Sequence, residues 1–210
     1  MSTHSLRTIH VVDDDDAVRR SLAALLASRG YGVMPFASGE QFLAEADLSR
    51  HGCVVLDLRM DGISGLQVLE AMRARGSPLS VLFLSGHGDL PSAVQAMRDG
   101  AHDWLQKPCA DDELIDKIEA VLAKATADAA RAGERERKRS LWVTLTPRER
   151  DVAKLVARGL ANKVVAQQLP IDVRTVETNR ARVFDKLGVA NAVELANFVR
   201  DQGLGDDAAG

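Results

Sequence analysis

The sequence predicts an α/β domain built on a doubly wound, five-stranded parallel sheet, followed by an all-α domain of four helices. Three observations carry this. Short apolar runs alternate with helix-period segments five times within residues 1–125, the pattern of stacked βα units. Residues 141–203 then show helix period and helix caps and no convincing strand. The charge divides at about the same place: residues 1–127 carry 12 basic and 18 acidic residues, residues 128–203 carry 15 and 10, and the tail 204–210 adds two aspartates.

The elements follow in order. "TIHVV" (8–12) reads as a buried strand and "DAVRRSLAALLASRG" (16–30) as a helix stopped at Gly30. "YGVMPF" (31–36) is a strand and "SGEQFLAEA" (38–46) a helix. "CVVLD" (53–57) is a strand in which Cys53 is a small buried residue, and "SGLQVLEAMRAR" (64–75) is a helix. "SVLFLS" (80–85) and "LPSAVQAMRDG" (90–100) form the fourth unit; "DWLQ" (103–106) and "DDELIDKIEAVLAKA" (111–125) form the fifth. Right-handed crossovers put helices on both faces. Residues 126–140, "TADAARAGERERKRS", either prolong the preceding helix, with Gly133 as a weak point, or form a flexible linker; mostly helix is the favoured reading, its heavy charge a solvated surface.

In the second half "TPRE" (146–149) is a capping box: Thr146 caps, Pro147 takes the first helical position and Glu149 reaches back. It opens a helix closed by Gly159. A short helix over 161–170 ends at Pro170, and Asp172 caps a longer one over 173–188. A fourth covers 191–203. The short turn between the second and third suits a helix-turn-helix.

The bulk numbers exclude several classes. No apolar run approaches about 18 residues, so no membrane span is expected. "MSTHSLR" lacks an apolar signal region, so a cytoplasmic location is expected. Two cysteines, Cys53 and Cys109, make neither a disulfide framework nor zinc spacing.

The chemistry gathers at strand ends. In open parallel sheets ligands sit beyond the carboxyl ends of the strands, where strand order reverses. The first strand ends in Asp13 and Asp14, the third in Asp57 and the fourth in Ser85; Lys107-Pro108 follows the fifth. Paired carboxylates facing a third can hold Mg²⁺, a hard cation with oxygen ligands at roughly 2.0–2.1 Å. The cation offsets their mutual repulsion. A carboxylate can also attack phosphorus to give an aspartyl phosphate. That chemistry then needs positioning and charge neutralisation, which Lys107 and the Ser85 hydroxyl can provide. Asp15 and Asp16 are better used to start the first helix. His87 reads as a loop residue.

These motifs resemble a known family. "VVDDDDAVR", "VVLDLRM", "LFLSGHGD" and "WLQKP" resemble the receiver domain of two-component response regulators, a flavodoxin-like fold. "LTPRERDVAKLVARGLANKVVAQQL" and "RTVETNRARVFDKLG" resemble the LuxR-type helix-turn-helix. Together, over about 190 residues, they are similar to the NarL/FixJ family, on its FixJ side. The resemblance implies a DNA-binding transcriptional regulator rather than an enzyme. Asp57 is then the phosphoacceptor for a sensor histidine kinase. Asp13, Asp14, Asp57 and the backbone carbonyl of Arg59 hold Mg²⁺, Ser85 and Lys107 contact the phosphoryl group, and Trp104 is the switch aromatic. It also implies a cis Lys107-Pro108 bond, a homodimer formed on phosphorylation through the surface around residues 90–99 and 103–106, obstruction of the effector in the unphosphorylated state, and contact with RNA polymerase.

The sequence departs from the family pattern at three places. Asp61 stands where near relatives have Pro, adding charge and flexibility beside the site, so altered Mg²⁺ affinity is expected. Cys109 stands where Phe is frequent. Asn179 replaces a frequent His and is expected to change a backbone contact. For promoter DNA, the helix from about Val173 is the reading helix. Arg174, Thr175, Glu177, Thr178, Arg180, Ala181 and Arg182 occupy its start and middle, while Val176, Val183, Phe184 and Leu187 face the core. Lys163, Arg180, Arg182 and Lys186 are candidates for phosphates, and Glu177 and Thr178 for base edges. Three rival readings stand beside this one: an aspartyl-phosphate phosphatase, disfavoured because Arg59 stands where its second Asp belongs; a receiver-linked protein-interaction adaptor whose helical half never touches DNA; and a regulator of the same fold that does not depend on phosphorylation, against which the complete acidic edge argues.

Overall fold

The structure is a computed structural model that describes residues 8–86, 90–201 and 203. His87 and the tail 204–210 lie outside the described residues. The chain divides into two compact units, Met1–Ala129 and Ala130–Gly210.

In the first unit the strands are β1 (Thr8–Val12), β2 (Gly32–Phe36), β3 (Cys53–Leu56), β4 (Ser80–Ser85) and β5 (Asp103–Gln106). The helices are α1 (Asp16–Ser28), α2 (Gly39–Glu45), α3 (Gly65–Ala74), α4 (Leu90–Arg98) and the start of α5 (Asp111–Val143). All pairings are parallel and the strand order is β2-β1-β3-β4-β5. Order therefore reverses between β1 and β3, which places the crevice beyond their carboxyl ends.

Strand period two splits the core cleanly. Ile9, Val11, Cys53, Val55, Leu82, Leu84 and Leu105 face one side, where Leu22 and Leu26 of α1 and Leu114, Ile118 and Val121 of α5 cover them. Val12, Val54, Leu56, Val81 and Phe83 face the other, packed by Phe42, Val68, Leu69, Met72 and Ala96 from α2, α3 and α4. The near-continuous apolar character of β3 and β4 follows from this two-sided burial. Helix starts are set locally. Ser38 caps α2 through Gln41 N–H, and Ser64 forms a capping box with Gln67 at α3.

In the second unit α6 (Pro147–Ala157), α7 (Asn162–Gln168), α8 (Val173–Leu187) and α9 (Ala192–Asp201) surround Trp142, Val152, Val156, Val165, Val176, Val183, Leu195 and Phe198. The expected box forms: Thr146 Oγ1 accepts from Glu149 N–H, and Glu149 Oε2 accepts from Thr146 N–H at 2.8 Å. Asp172 occupies the N-cap of α8 without bonding its first amides; its carboxylate accepts from the Thr175 hydroxyl at 3.0 Å. Gly188 ends α8 in the left-handed conformation, φ +66°, which glycine adopts without strain. The 126–140 stretch is helix, because α5 continues to Val143. Among the described residues no helix is long and apolar enough to cross a membrane.

Candidate functional site

The four aspartates after β1 divide their work. Asp15 caps α1, its Oδ1 accepting from Ala17 N–H at 2.8 Å and Val18 N–H at 3.3 Å. Asp16 lies in the first turn and pairs with Arg19 and Arg20, where negative charge complements the helix dipole. That leaves Asp13 and Asp14 for the crevice. Asp13 is 2% exposed and Asp14 is exposed.

Asp57 follows β3 directly and is tied to β1, its N–H donating to Val12 O at 2.8 Å. One ligand oxygen each from Asp13, Asp14 and Asp57 lies within 4.8 Å of the others. These are hard, anionic oxygen donors converging from two adjacent loops, a set that fits a divalent cation of the Mg²⁺ or Ca²⁺ kind. Arg59 lies two residues further along the same loop, exposed.

Lys107 enters from the β5 side. Its N–H donates to Ser85 O at 2.9 Å, and its ammonium lies 2.5 Å from Asp13 Oδ2 and 3.7 Å from Asp57 Oδ1. The Lys107-Pro108 bond is cis. Asp57 Oδ1 also accepts from Leu58 N–H at 2.9 Å. Burial pushes the Asp57 carboxyl above its ordinary range, the Lys107 ammonium pulls it back and Asp13 raises it further. Ser85, the last residue of β4, is 1% exposed. Trp104 is half-buried on the face of Phe83, ring centroids 5.6 Å apart. Cys109 is half-buried against the core next to α5, its thiol pushed up by burial, then by Glu113 and Asp111.

Three supporting contacts were not legible in the sequence, although Asp61 itself stands out there for its charge. Arg19 Nη1 donates to Asp13 O at 2.6 Å. Asp61 N–H donates to Asp14 Oδ2 at 2.8 Å. Gly65 packs so closely that an added Cβ would lie 2.2 Å from Asp57 O and 2.8 Å from the Phe83 ring.

In the second unit α8 shows two stripes. Val176, Asn179, Val183 and Leu187 are buried. Asn179 bonds back to Thr175 O at 2.8 Å, which satisfies its amide inside the helix's buried face. Arg174, Glu177, Thr178, Ala181 and Arg182 are exposed, recurring at helical spacing along the opposite side. The Thr178 hydroxyl donates to Arg174 O, and Thr175 is half-buried. Arg180 is half-buried, donates to Asn162 Oδ1 at 3.1 Å and lies over the Phe184 ring. Lys163 is exposed on α7. Lys186 has its ammonium 2.6 Å from Oε2 of Glu149, a residue that is 2% exposed. The Glu149 carboxyl is held below its ordinary range by Lys186 first and by Thr146 N–H next.

Comparison with known proteins matches both units. The family "Response regulator receiver domain" matches residues 9–119, and "Bacterial regulatory proteins, luxR family" matches residues 143–199. The tetrathionate response regulatory protein TtrR of Salmonella typhimurium is 43% identical over 190 residues, 90% of each chain. The transcriptional regulatory protein FixJ of Azorhizobium caulinodans is 42% identical, covering 95% of this chain and 96% of that one. Among solved structures, response regulator StyR superposes with a TM-score of 0.83 at 37% identity, over 92% of this chain and 98% of that one. Full-length FixJ from B. japonicum gives 0.58 at 39% identity, over 94% and 97%. With an acidic crevice in the first unit, an outward polar stripe on α8 in the second, and both family matches in that order, the chain belongs to the NarL/FixJ family of response regulators: phosphorylation-activated, DNA-binding transcriptional regulators with a receiver domain and a LuxR-type domain.

Proposed function

We propose that Asp57 accepts a phosphoryl group from a sensor histidine kinase, and that the added charge drives homodimer formation and promoter binding through α8. The observation that carries this is the convergence of Asp13, Asp14, Asp57 and Lys107 beyond β1 and β3. We assign attack to Asp57 Oδ2, since Oδ1 accepts from Leu58 N–H. The oxygen bonds to phosphorus as the phosphorus–nitrogen bond of the kinase phosphohistidine breaks, and the imidazole leaves with that electron pair and takes up a proton. Asp13, Asp14, Asp57 and the Arg59 carbonyl would hold Mg²⁺, which when bound supplies positive charge beside the phosphoryl oxygens. Lys107 moves from Asp13 toward a phosphoryl oxygen, and the Ser85 hydroxyl donates to another. Movement of Ser85 lets Trp104 turn inward, changing the surface that carries Val94 and Met97 of α4, 41% and 46% exposed. That apolar surface is the dimer contact we assign.

Dimerisation pairs two α8 helices for two half-sites. Glu177 and Thr178 face base edges; Lys163, Arg174, Arg180 and Arg182 take phosphates. Lys186 holds α8 to α6 through Glu149 and acts on DNA through that placement, with RNA polymerase as the further partner and the cytoplasm as the location. The test is intact mass and sedimentation after incubation with acetyl phosphate and Mg²⁺, for wild type and Asp57→Asn, with salt-dependent DNA binding measured alongside. A phosphoryl group gained by wild type alone, with dimerisation and tighter DNA binding, is expected. A folded wild type that gains neither adduct nor DNA affinity would refute the proposal.

A further inference from the structure

The loop from β3 to α3, "DLRMDGIS" over residues 57–64, aims two main-chain donors at carboxylates of other elements. Asp61 N–H donates to Asp14 Oδ2 at 2.8 Å, and Ile63 N–H donates to Glu40 Oε1 at 3.0 Å. Gly62 lies between them at φ +82°, and a Cβ there would sit 2.4 Å from Glu40 Oε1. The loop path is thus pinned on both sides of a residue only glycine fits easily.

Asp14 is the vulnerable member of the carboxylate trio. Asp13 is buried and paired with Lys107; Asp57 is half-buried and accepts from Leu58 N–H. Asp14 is exposed, and one of its oxygens lies within 4.8 Å of an oxygen of each of two like charges. Repulsion and side-chain entropy both favour its swinging out to water. A charged acceptor bonded by an N–H resists that, and a carboxylate has about four lone-pair sites, so one bond leaves room for a cation.

We propose that Asp61 is a positioning residue for the cation site, acting through its main-chain N–H rather than its side chain. The N–H latches Asp14 across the strand-order reversal and pre-arranges it for a divalent cation. The inference rests on the reading of Asp13, Asp14 and Asp57 as that site. Proline, the residue expected at this position from the family pattern, has no N–H to give. The chain therefore carries a latch that a proline at 61 would lack. The exposed Asp61 carboxylate contributes only a solvent-screened charge.

The test is calorimetric titration of full-length wild type, Asp61→Ala and Asp61→Pro with Mg²⁺, folding being checked by circular dichroism. Alanine keeps the N–H and removes the charge, so its dissociation constant should stay within about twofold of wild type. Proline should weaken binding about tenfold, the loss of one hydrogen bond to a charged group, and the gap should persist at high salt. Equal weakening by both variants, closing at high salt, would assign the effect to charge and overturn the latch. Amide exchange without Mg²⁺ gives a second, independent reading. The Asp61 amide should be protected in wild type and lose protection in Asp14→Ala; protection unchanged in Asp14→Ala overturns the latch even if Asp61→Pro fails to fold. If wild type binds no Mg²⁺, the cation reading fails by itself, and amide exchange still decides whether the latch exists.

Discussion

Replacing Lys186 with methionine should loosen α8 from α6. The Glu149 carboxylate is 2% exposed and accepts from Lys186 Nζ at 2.6 Å and Thr146 N–H at 2.8 Å. Stripping one partner from a buried ion pair costs about 3–5 kcal/mol. Here the cost is smaller, because the Lys186 side chain is itself 34% exposed and the Thr146 bond survives. About 2 kcal/mol is expected, or a fall of about 10 °C in the midpoint of a unit this small. Trp142, buried beside Phe198 in the core of the second unit, reports that transition once Trp104 is changed to Phe. The double variant Glu149→Gln, Lys186→Met should lose less than the two single changes added together, since it leaves no unpaired buried charge.

The pH dependence fixes the sign. The folded Glu149 carboxyl titrates below its ordinary value of 4.5. Its contribution is therefore complete above about pH 4.5 and is lost as pH falls through the depressed folded value. The gap between wild type and Lys186→Met should close over that acid range. A Lys186→Met midpoint within 1 °C of wild type at pH 7, or strictly additive losses in the double variant, would show that the Lys186–Glu149 pair does not hold α8 to α6.

Two further outcomes are expected in the receiver unit. His10 is 8% exposed between Phe36 and Phe42, its Nδ1 has no hydrogen-bond partner among the described residues, and burial pushes its imidazole below 6.5. The folded state thus favours the neutral ring, so the Trp104-reported midpoint should fall as pH drops from 7 to 5 and should fall less in His10→Leu; equal slopes would remove His10 as the cause. Gly65→Ala forces a Cβ against Asp57 O and the Phe83 ring. It should cost about 1–3 kcal/mol and weaken Mg²⁺ binding together, by thermal melt and titration, and an unchanged titration would show that the strain is absorbed away from Asp57.

Much of this molecule was legible in short stretches of sequence. β1, β4 and β5 begin and end with the stretches TIHVV, SVLFLS and DWLQ that read as strands, and the Thr146 box starts α6 where its residues say it should. Strand period, helix period and caps act over a few residues, so they can be read without knowing the rest of the chain. Parallel topology then brings the polar strand ends to one edge, which is why Asp13, Asp14, Asp57 and Lys107 could be grouped in advance.

What holds those groups was decided only by the tertiary structure. Lys107 meets Asp13 across 94 residues, Asp61 N–H meets Asp14 across 47, and Lys186 meets Glu149 across 37. Asp61 looks from sequence like one more negative charge, yet its backbone donor is what faces Asp14. Lys186 looks like a surface cation, yet packing of α6 on α8 gives it a buried partner. Composition and periodicity say which side chains point inward. Only the packed fold says which distant donor each buried acceptor finds, because that pairing is set by how loops and helices meet in space.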